Sequence, residues 1–314
     1  MLKNRVFVYL QRGLVAGMIL LMAVSAFSMK TYAAEITYDN FDYVAYADTY
    51  ADLKEAFGYD KDALYQHYIN NGIKEGRTAQ TTSGETVSGS TEQTTGNSST
   101  CTLICKRSDF LSKSNFDAAR YAADYADLAA AFGTNTNKLY NHYVNNGEKE
   151  GRKAYSTNER TNAILTIYDT IPTICNDGMT DEMKARAVHD FLANTCQYDV
   201  DNYYAGTIPN RSYHPEGPML YHVAVCQGYA EAYDYFLGLM GIECTICTGR
   251  AYNGQSVGAH AWNRVTLNGN YYYVDVTWDD PVSYIPMVRQ IYNLCTYEQI
   301  SQDHFQSGTY DAFK

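Results

Sequence analysis

The sequence predicts an α+β fold for its C-terminal half, preceded by two small all-α repeat modules. Three observations carry that prediction. An amphipathic helix starts at a cysteine, an Asn-Gly turn joins two apolar runs downstream of it, and a 39-residue segment near the N-terminus occurs twice.

Taken in order, Lys3, Arg5 and Arg12 precede an apolar run from Leu14 to Phe27, followed by Thr31-Tyr-Ala-Ala34. This is the pattern of a secretory signal peptide over 1–34, cut near Ala33 or Ala34. The run is only about 14 residues, short for a membrane span. Removal of 1–34 takes four cations and no acids, so the net charge moves from -11 to -15. An acidic chain with no basic stripe excludes nucleic acid and anionic membrane surfaces as expected partners. The expected location is secreted, extracellular or cell-wall associated.

Residues 41–79 and 116–154 align without a gap, with about 23 of 39 positions identical. Both run Phe-Asp, Tyr-Ala-Asp-Leu, Ala-Phe-Gly, Leu-Tyr-x-His-Tyr and Asn-Asn-Gly-x-Lys-Glu-Gly-Arg. Each reads as a small helical unit, the first over 35–79 and the second over 116–155. In the last helix Leu64, Tyr65, Tyr68 and Ile69 share a face, as do Leu139, Tyr140, Tyr143 and Val144. Gly72 and Gly147 are expected to end these helices in the left-handed conformation. His67 and His142 are expected to pack within their units, with Arg77 and Arg152 paired to Glu75 and Glu150. Residues 80–115, rich in Ser, Thr and Gly up to Thr100, read as a flexible linker, so the repeats are expected as beads on a string. A sharper reading makes the repeats a tether to cell-wall glycan or peptide.

The remaining residues, 156–314, form the third unit. Tyr229, Ala232, Tyr233, Phe236, Leu237 and Met240 recur at helical spacing after Cys226, and Gly241 stops the run. Cys226 then sits in the first turn, where unpaired N–H groups and the positive end of the dipole favour a thiolate. The same donors suit the oxyanion of a tetrahedral acyl intermediate. Gly228 is expected to keep the surface beside the sulfur open. Asn268-Gly269 between Ala261–Leu267 and Tyr271–Trp278 predicts a two-residue type I′ hairpin. With Leu267 facing Asn270, Trp262 falls opposite Asp275 and His260 opposite Thr277. His260 and Asp275 become diagonal neighbours, roughly 7 Å apart at Cβ. A thiol needs a base and the base an orienting acid, and Cys226, His260 and Asp275 supply all three.

These motifs carry a resemblance. Cys226-Gln-Gly-Tyr-Ala, His260-Ala-Trp-Asn and Val274-Asp-Val-Thr-Trp-Asp-Asp-Pro281 resemble, in order and separation, the bacterial branch of the transglutaminase-like superfamily. The resemblance covers roughly 158–314. It implies a papain-like core, with Cys226 as nucleophile, His260 as base and Asp275 as the residue that orients it. His189-Asp190 and Tyr198-Asp199 resemble family positions too, and read as structural. The chain departs from the pattern at Leu220-Tyr-His-Val-Ala224, bulky where the family carries a small Gly-containing turn; Gly217-Pro218 keeps part of that turn.

Trp262 and Trp278, the chain's two tryptophans, flank the site and read as its cover. Of eight cysteines, Cys101 with Cys105 and Cys175 with Cys196 are candidate disulfides. Cys244 and Cys247, three apart on a strand, point to opposite faces, which disfavours a redox or zinc site. No metal and no cofactor is expected. Three functions remain open. The first is secreted acyl transfer from a glutamine carboxamide, through a thioester, to an amine on a protein or peptide. The second is a cysteine peptidase or amidase acting on extracellular or wall peptides. The third is a non-catalytic surface-binding module.

Overall fold

The computed structural model describes residues 36, 40–68, 72, 75, 77–84, 86–88, 100–282 and 288–314. The expected signal peptide and most of the Ser/Thr/Gly-rich stretch lie outside the described residues. The chain divides into two compact units, 1–91 and 92–314.

The first unit contains helices α1 (Tyr43–Thr49), α2 (Ala51–Phe57) and α3 (Lys61–His67), then strands β1 (Thr78–Gln80) and β2 (Thr86–Ser88). Asp42 and Asp60 cap α1 and α3 by accepting from the Ala45 and Ala63 amides, satisfying donors that a helix start leaves free. Phe41, Tyr46, Leu53, Leu64 and Tyr68 fill the core. Arg77 makes a two-pronged pair with Asp52 and a further bond to Glu75.

The second unit opens with the same arrangement 75 positions on. Helices α4 (Ala118–Asp124), α5 (Ala126–Phe132) and α6 (Thr136–His142) bury Phe116, Tyr121, Leu128, Leu139 and Tyr143. Arg152 pairs with Asp127 and Glu150 as Arg77 does with Asp52 and Glu75. Two expectations need correction. Gly147 is not left-handed; it lies in a wide turn over Tyr143–Gly147, and Gly151 carries the positive φ instead. A Cβ on Gly147 would strike the Tyr121 hydroxyl, and one on Gly72 the Tyr46 hydroxyl, so both glycines serve close approach. Nor is the whole of 80–115 a flexible linker, since Arg107–Phe110 form a helical turn that packs on the second repeat. The buried Arg107 guanidinium reaches Tyr143 Oη and the Ala154 carbonyl, Ser108 bonds Glu148, and Leu165 from the next helix joins the repeat's core.

That next helix is α7 (Glu159–Ile174), followed by α8 (Asp181–Thr195), β3 (Gln197–Tyr198), α9 (Val200–Ala205) and β4 (Val223–Ala224). Then come α10 (Cys226–Leu239), β5 (Cys244–Tyr252), β6 (Val257–Leu267), β7 (Asn270–Val274), α11 (Val276–Asp279), β8 (Asn293–Cys295), α12 (Tyr297–Ile300) and β9 (His304–Tyr310). Five strands form an antiparallel sheet in the order β8-β7-β6-β5-β9. The architecture is α+β, with α10 against the sheet. Its predicted stripe, Tyr229, Ala232, Tyr233, Phe236 and Leu237, is buried in one core with Val265, Leu267 and Val274. Each large side chain there contributes about 1.5–3 kcal/mol.

The hairpin register is the predicted one, Leu267 opposite Asn270. Asn268 and Gly269 both have positive φ, 51° and 78°, as a type I′ turn requires. The second strand is shorter than predicted, since β7 ends at Val274 and residues 276–279 form a helical turn.

All eight cysteines are free thiols. Cys175 cannot bridge Cys196. Its sulfur touches the Lys184 carbonyl near the start of α8, whereas Cys196 follows the other end, about 18 Å away at 1.5 Å per residue. Cys244 and Cys247 sit in different cores on opposite faces of β5.

Candidate active site

Cys226 is the first residue of α10. Val225 stands at the cap position without a capping side chain; its carbonyl takes the Gly228 amide at 2.8 Å, so the Cys226 and Gln227 amides are the first-turn donors left to whatever binds beside the sulfur. The approach to this helix is tight. The Val225 amide donates to the Ser212 carbonyl at 2.9 Å, and β4 pairs with β3. Gly217, expected to keep the family turn, lies so close to the Val223 and Arg211 carbonyls that no side chain fits. Gly228 does not open the surface beside the sulfur, as expected from the sequence. A Cβ there would collide with the Ser212 carbonyl and crowd Ala224, so its function is contact between α10 and the chain leading to it.

His260 lies on β6 opposite Gly249. Its Nε2 is 2.6 Å from Asp275 Oδ2, and the Cys226 thiol lies near enough to the ring to favour its charged form. With Nε2 held by the carboxylate, Nδ1 is the nitrogen left for the sulfur. The sequence-predicted trio is therefore brought together, but Asp275 arrives by another route than expected. It is not a strand residue paired across from Trp262. It ends the strand and caps α11, its Oδ1 accepting from the Trp278 amide at 3.2 Å. Likewise Thr277, expected opposite His260, lies within α11.

Burial works against charge on His260, but the Asp275 carboxylate and the Cys226 sulfur outweigh it and raise its pKa to about 10. Burial also works against ionised Asp275, and His260 and His304 outweigh that in turn, holding the carboxyl well below the usual range. The two indoles cover the pair, as expected. Trp262 lies 6.0 Å and Trp278 5.3 Å from the His260 ring, centroid to centroid. A cleft of about 1020 Å³ opens at His260, with Tyr198, Tyr203, Tyr204, Tyr252, Trp278 and Tyr292 among its walls.

The sequence reading missed two groups. His304 Nε2 lies 3.0 Å from the same Asp275 oxygen. No local spacing announces it, because only the pairing of β9 with β5 carries it to the site. Glu231, one turn along α10, is buried and accepts from Gln227 Nε2 (3.0 Å) and Tyr310 Oη (3.1 Å), with His214 Nδ1 at 2.9 Å. The four-residue spacing of Gln227 and Glu231 was the available signal.

His189 is structural, as the sequence reading has it. It is fully buried between Asp190 (2.9 Å) and Asp279 (3.1 Å). Burial lowers its pKa, but the two carboxylates outweigh that and raise it to about 9. Asp279 in turn accepts the Ile291 and Tyr292 amides, fixing the chain that returns toward β8. Tyr198 sits on β3 and lines the cleft. Among the described residues, His260, Asp275 and His304 bring ligand-type atoms within 4.8 Å of one another. Those atoms already hydrogen-bond one another, and a cation would have to take the oxygen that both imidazoles use.

Residues 169–276, which include Cys226, His260 and Asp275, match the family model of the Transglutaminase-like superfamily. Over 120 residues it is 24% identical to kyphoscoliosis peptidase of Mus musculus and 25% identical to that of Homo sapiens. Those alignments take in 36% of this chain and 18% of each relative, so the chain spans about a fifth of the curated relatives' length. Among solved structures, a TGase aligns with a TM-score of 0.32 at 15% identity, over 54% of this chain and 41% of that one. A protein classed as a candidate cysteine protease from Cytophaga hutchinsonii aligns at 0.30 and 16% identity, over 49% and 51%.

Proposed function

We propose that the protein is an acyl-transfer enzyme acting outside the cell, with Cys226 as nucleophile, His260 as general base and acid, and Asp275 as the group that orients His260. The observation that carries this is the His260 ring, set between the Asp275 carboxylate and a thiol at an uncapped helix start. The Cys226 thiolate attacks the carboxamide carbon of a glutamine side chain. His260, holding the thiol proton, delivers it to the leaving nitrogen, and ammonia departs from a thioester. An amine then attacks the thioester, His260 takes its proton, and the sulfur leaves. The Cys226 and Gln227 N–H groups at the start of α10 are the donors assigned to the oxyanion.

A secreted setting is supported by the cation-led apolar run ahead of Thr31-Tyr-Ala-Ala34. The substrate is then a protein or peptide, and the aromatic cleft walls favour a chain over a small polar donor. Retention of the mature chain on isolated cell walls tests the tether assigned to the repeats. The contacts of His67 with Tyr46 (3.2 Å) and His142 with Tyr121 (3.3 Å) favour a purely structural use of those histidines.

The second reading, hydrolysis by a cysteine peptidase or amidase, uses the same thioester with water as acceptor. The likeness to proteins named as peptidases favours it. Incubation with a glutaminyl peptide and a labelled amine separates the two. Amine incorporation that disappears in Cys226→Ala supports transfer; new termini or released acid support hydrolysis. Silence of the wild type in both assays rejects the enzyme.

A further inference from the structure

His304 lies outside the span matched to the superfamily and is fully used within the structure. It opens β9 opposite Ala251 of β5, on the sheet face that carries His260. Its Nε2 lies 3.0 Å from Asp275 Oδ2, and its Nδ1 lies 2.6 Å from Asp303 Oδ1. The other Asp303 oxygen accepts from Tyr292 Oη at 2.6 Å. The ring is packed by Trp278, Trp262 and Tyr292, with centroids 4.5, 4.9 and 5.3 Å away. A hydrogen-bonded path therefore runs from Tyr292 through Asp303, His304 and Asp275 to His260, the ring beside Cys226. Gly249 permits it: β9 shifts register beside Gly249, and a Cβ there would strike the Phe305 carbonyl.

We propose that His304 is a positioning residue for the Cys226 site, acting through Asp275. Two donors, His260 and His304, meet at one carboxylate oxygen, while the Trp278 amide takes the other. With three contacts the carboxylate cannot rotate, so its charge stays aimed at His260 Nε2. Without His304 the oxygen has one donor fewer, and the carboxyl gains freedom to turn about its Cα–Cβ bond. The pair of Cys226 and His260 then forms less readily. The titratable groups facing this point are His260, His304, Asp303, Tyr292 and Cys226, with Asp279, His189 and Cys295 behind it.

The inference rests on Cys226 being the nucleophile, and the test separates the two. The rate of Cys226 alkylation by iodoacetamide is followed from pH 3 to 10 in the mature protein, with turnover measured alongside. His304→Asn keeps the bond to Asp303 but is too short to reach Asp275. His304→Gln places an amide near the Nε2 position and restores the donor. The Asn variant is expected to move the acid limb of alkylation up by half a unit or more. Its kcat should fall about 10–100-fold, the range for supporting partners, with KM within about threefold. The Gln variant is expected to lie near the wild type in both. An unmoved acid limb in the Asn variant, or a loss confined to KM, overturns the proposal, as does a Gln variant no better than Asn. If one variant fails to fold, the other decides: an unmoved limb in Asn or a shifted one in Gln overturns it. If His260→Ala leaves wild-type alkylation unaltered, the nucleophile assignment itself falls. If His260→Ala abolishes the acid limb and His304→Asn does not move it, only the role of His304 is lost.

Discussion

Asp275 and His260 meet at 2.6 Å although one caps a helical turn and the other lies within a strand. The carboxylate is buried and its amide is tied to the Tyr292 carbonyl at 2.9 Å. Its backbone is thus tied to Tyr292 and its Oδ1 to the Trp278 amide.

Removal of the sulfur is expected to abolish turnover while leaving the fold intact. Cys226 is half-buried, and Cys226→Ala removes one atom from its packing with Ala230 and Ala261. Activity should fall by about four orders of magnitude or more, with a thermal midpoint within a few degrees of the wild type. A variant that retains a tenth of the activity would exclude thioester chemistry at this position.

Asp275→Asn should lower kcat by about 10²–10⁴ and should also change the pH dependence of stability. The Asp275 carboxyl is held below its ordinary 3.8, so its share of stability is present above that pH and is lost as acid protonates it in the fold. His260 is raised from 6.5 to about 10, so its share is complete below pH 6.5 and disappears as pH rises through about 10. The difference in unfolding free energy between wild type and variant is therefore expected to peak between pH 4 and 6.5, at about 3–5 kcal/mol. It should shrink steadily toward pH 10. Urea titrations at pH 5, 7 and 10 measure it, and a difference that grows with pH would contradict the assignment.

Gly228→Ala is expected to destabilise by about 1–3 kcal/mol, because its methyl meets backbone that cannot move without shifting α10. Activity should fall with it, Cys226 being two residues away. Gly258→Ala has open space around its Cβ and serves as the control. Thermal melts of both variants decide whether contact or surface access explains Gly228.

Asn263 ties the catalytic helix to the sheet. Its buried Nδ2 donates to the Ala230 carbonyl of α10 at 3.0 Å. Asn263→Ala should cost about 1–3 kcal/mol and reduce kcat more than KM, since His260 is three residues along the same strand. A loss of stability with unchanged kcat would make the bond structural alone.

Much of this arrangement was legible in the chain. The 3.6-residue stripe after Cys226 named the helix, and Asn268-Gly269, able to take positive φ at both positions, set the hairpin register. That register and the cysteine's place in the first turn were enough to nominate Cys226, His260 and Asp275. The repeat contacts of Arg77 and Arg152 with Glu75 and Glu150 were legible too, being two residues apart. The end of β7 was not. Val274-Asp-Val-Thr-Trp278 alternates like a strand, and what overrides the alternation is Asp275 bonding its own downstream amide while Tyr292 claims its N–H. Gly147 differs from expectation for a related reason. Glycine is required both for positive φ and for close approach, and only packing tells the two apart.

Local order along the chain thus determined the helix, the turn, the pairing beside it and the identities of thiol, imidazole and carboxylate. These depend on residues within a few positions of one another, where backbone preference and side-chain periodicity act directly. The tertiary structure alone decided that His304 shares the Asp275 oxygen, that Arg107 binds the second repeat to the domain, and that Cys175 lies far from Cys196. The first two contacts join residues 29 and 36 positions apart in sequence, and no local pattern encodes which distant partner a buried polar group will find.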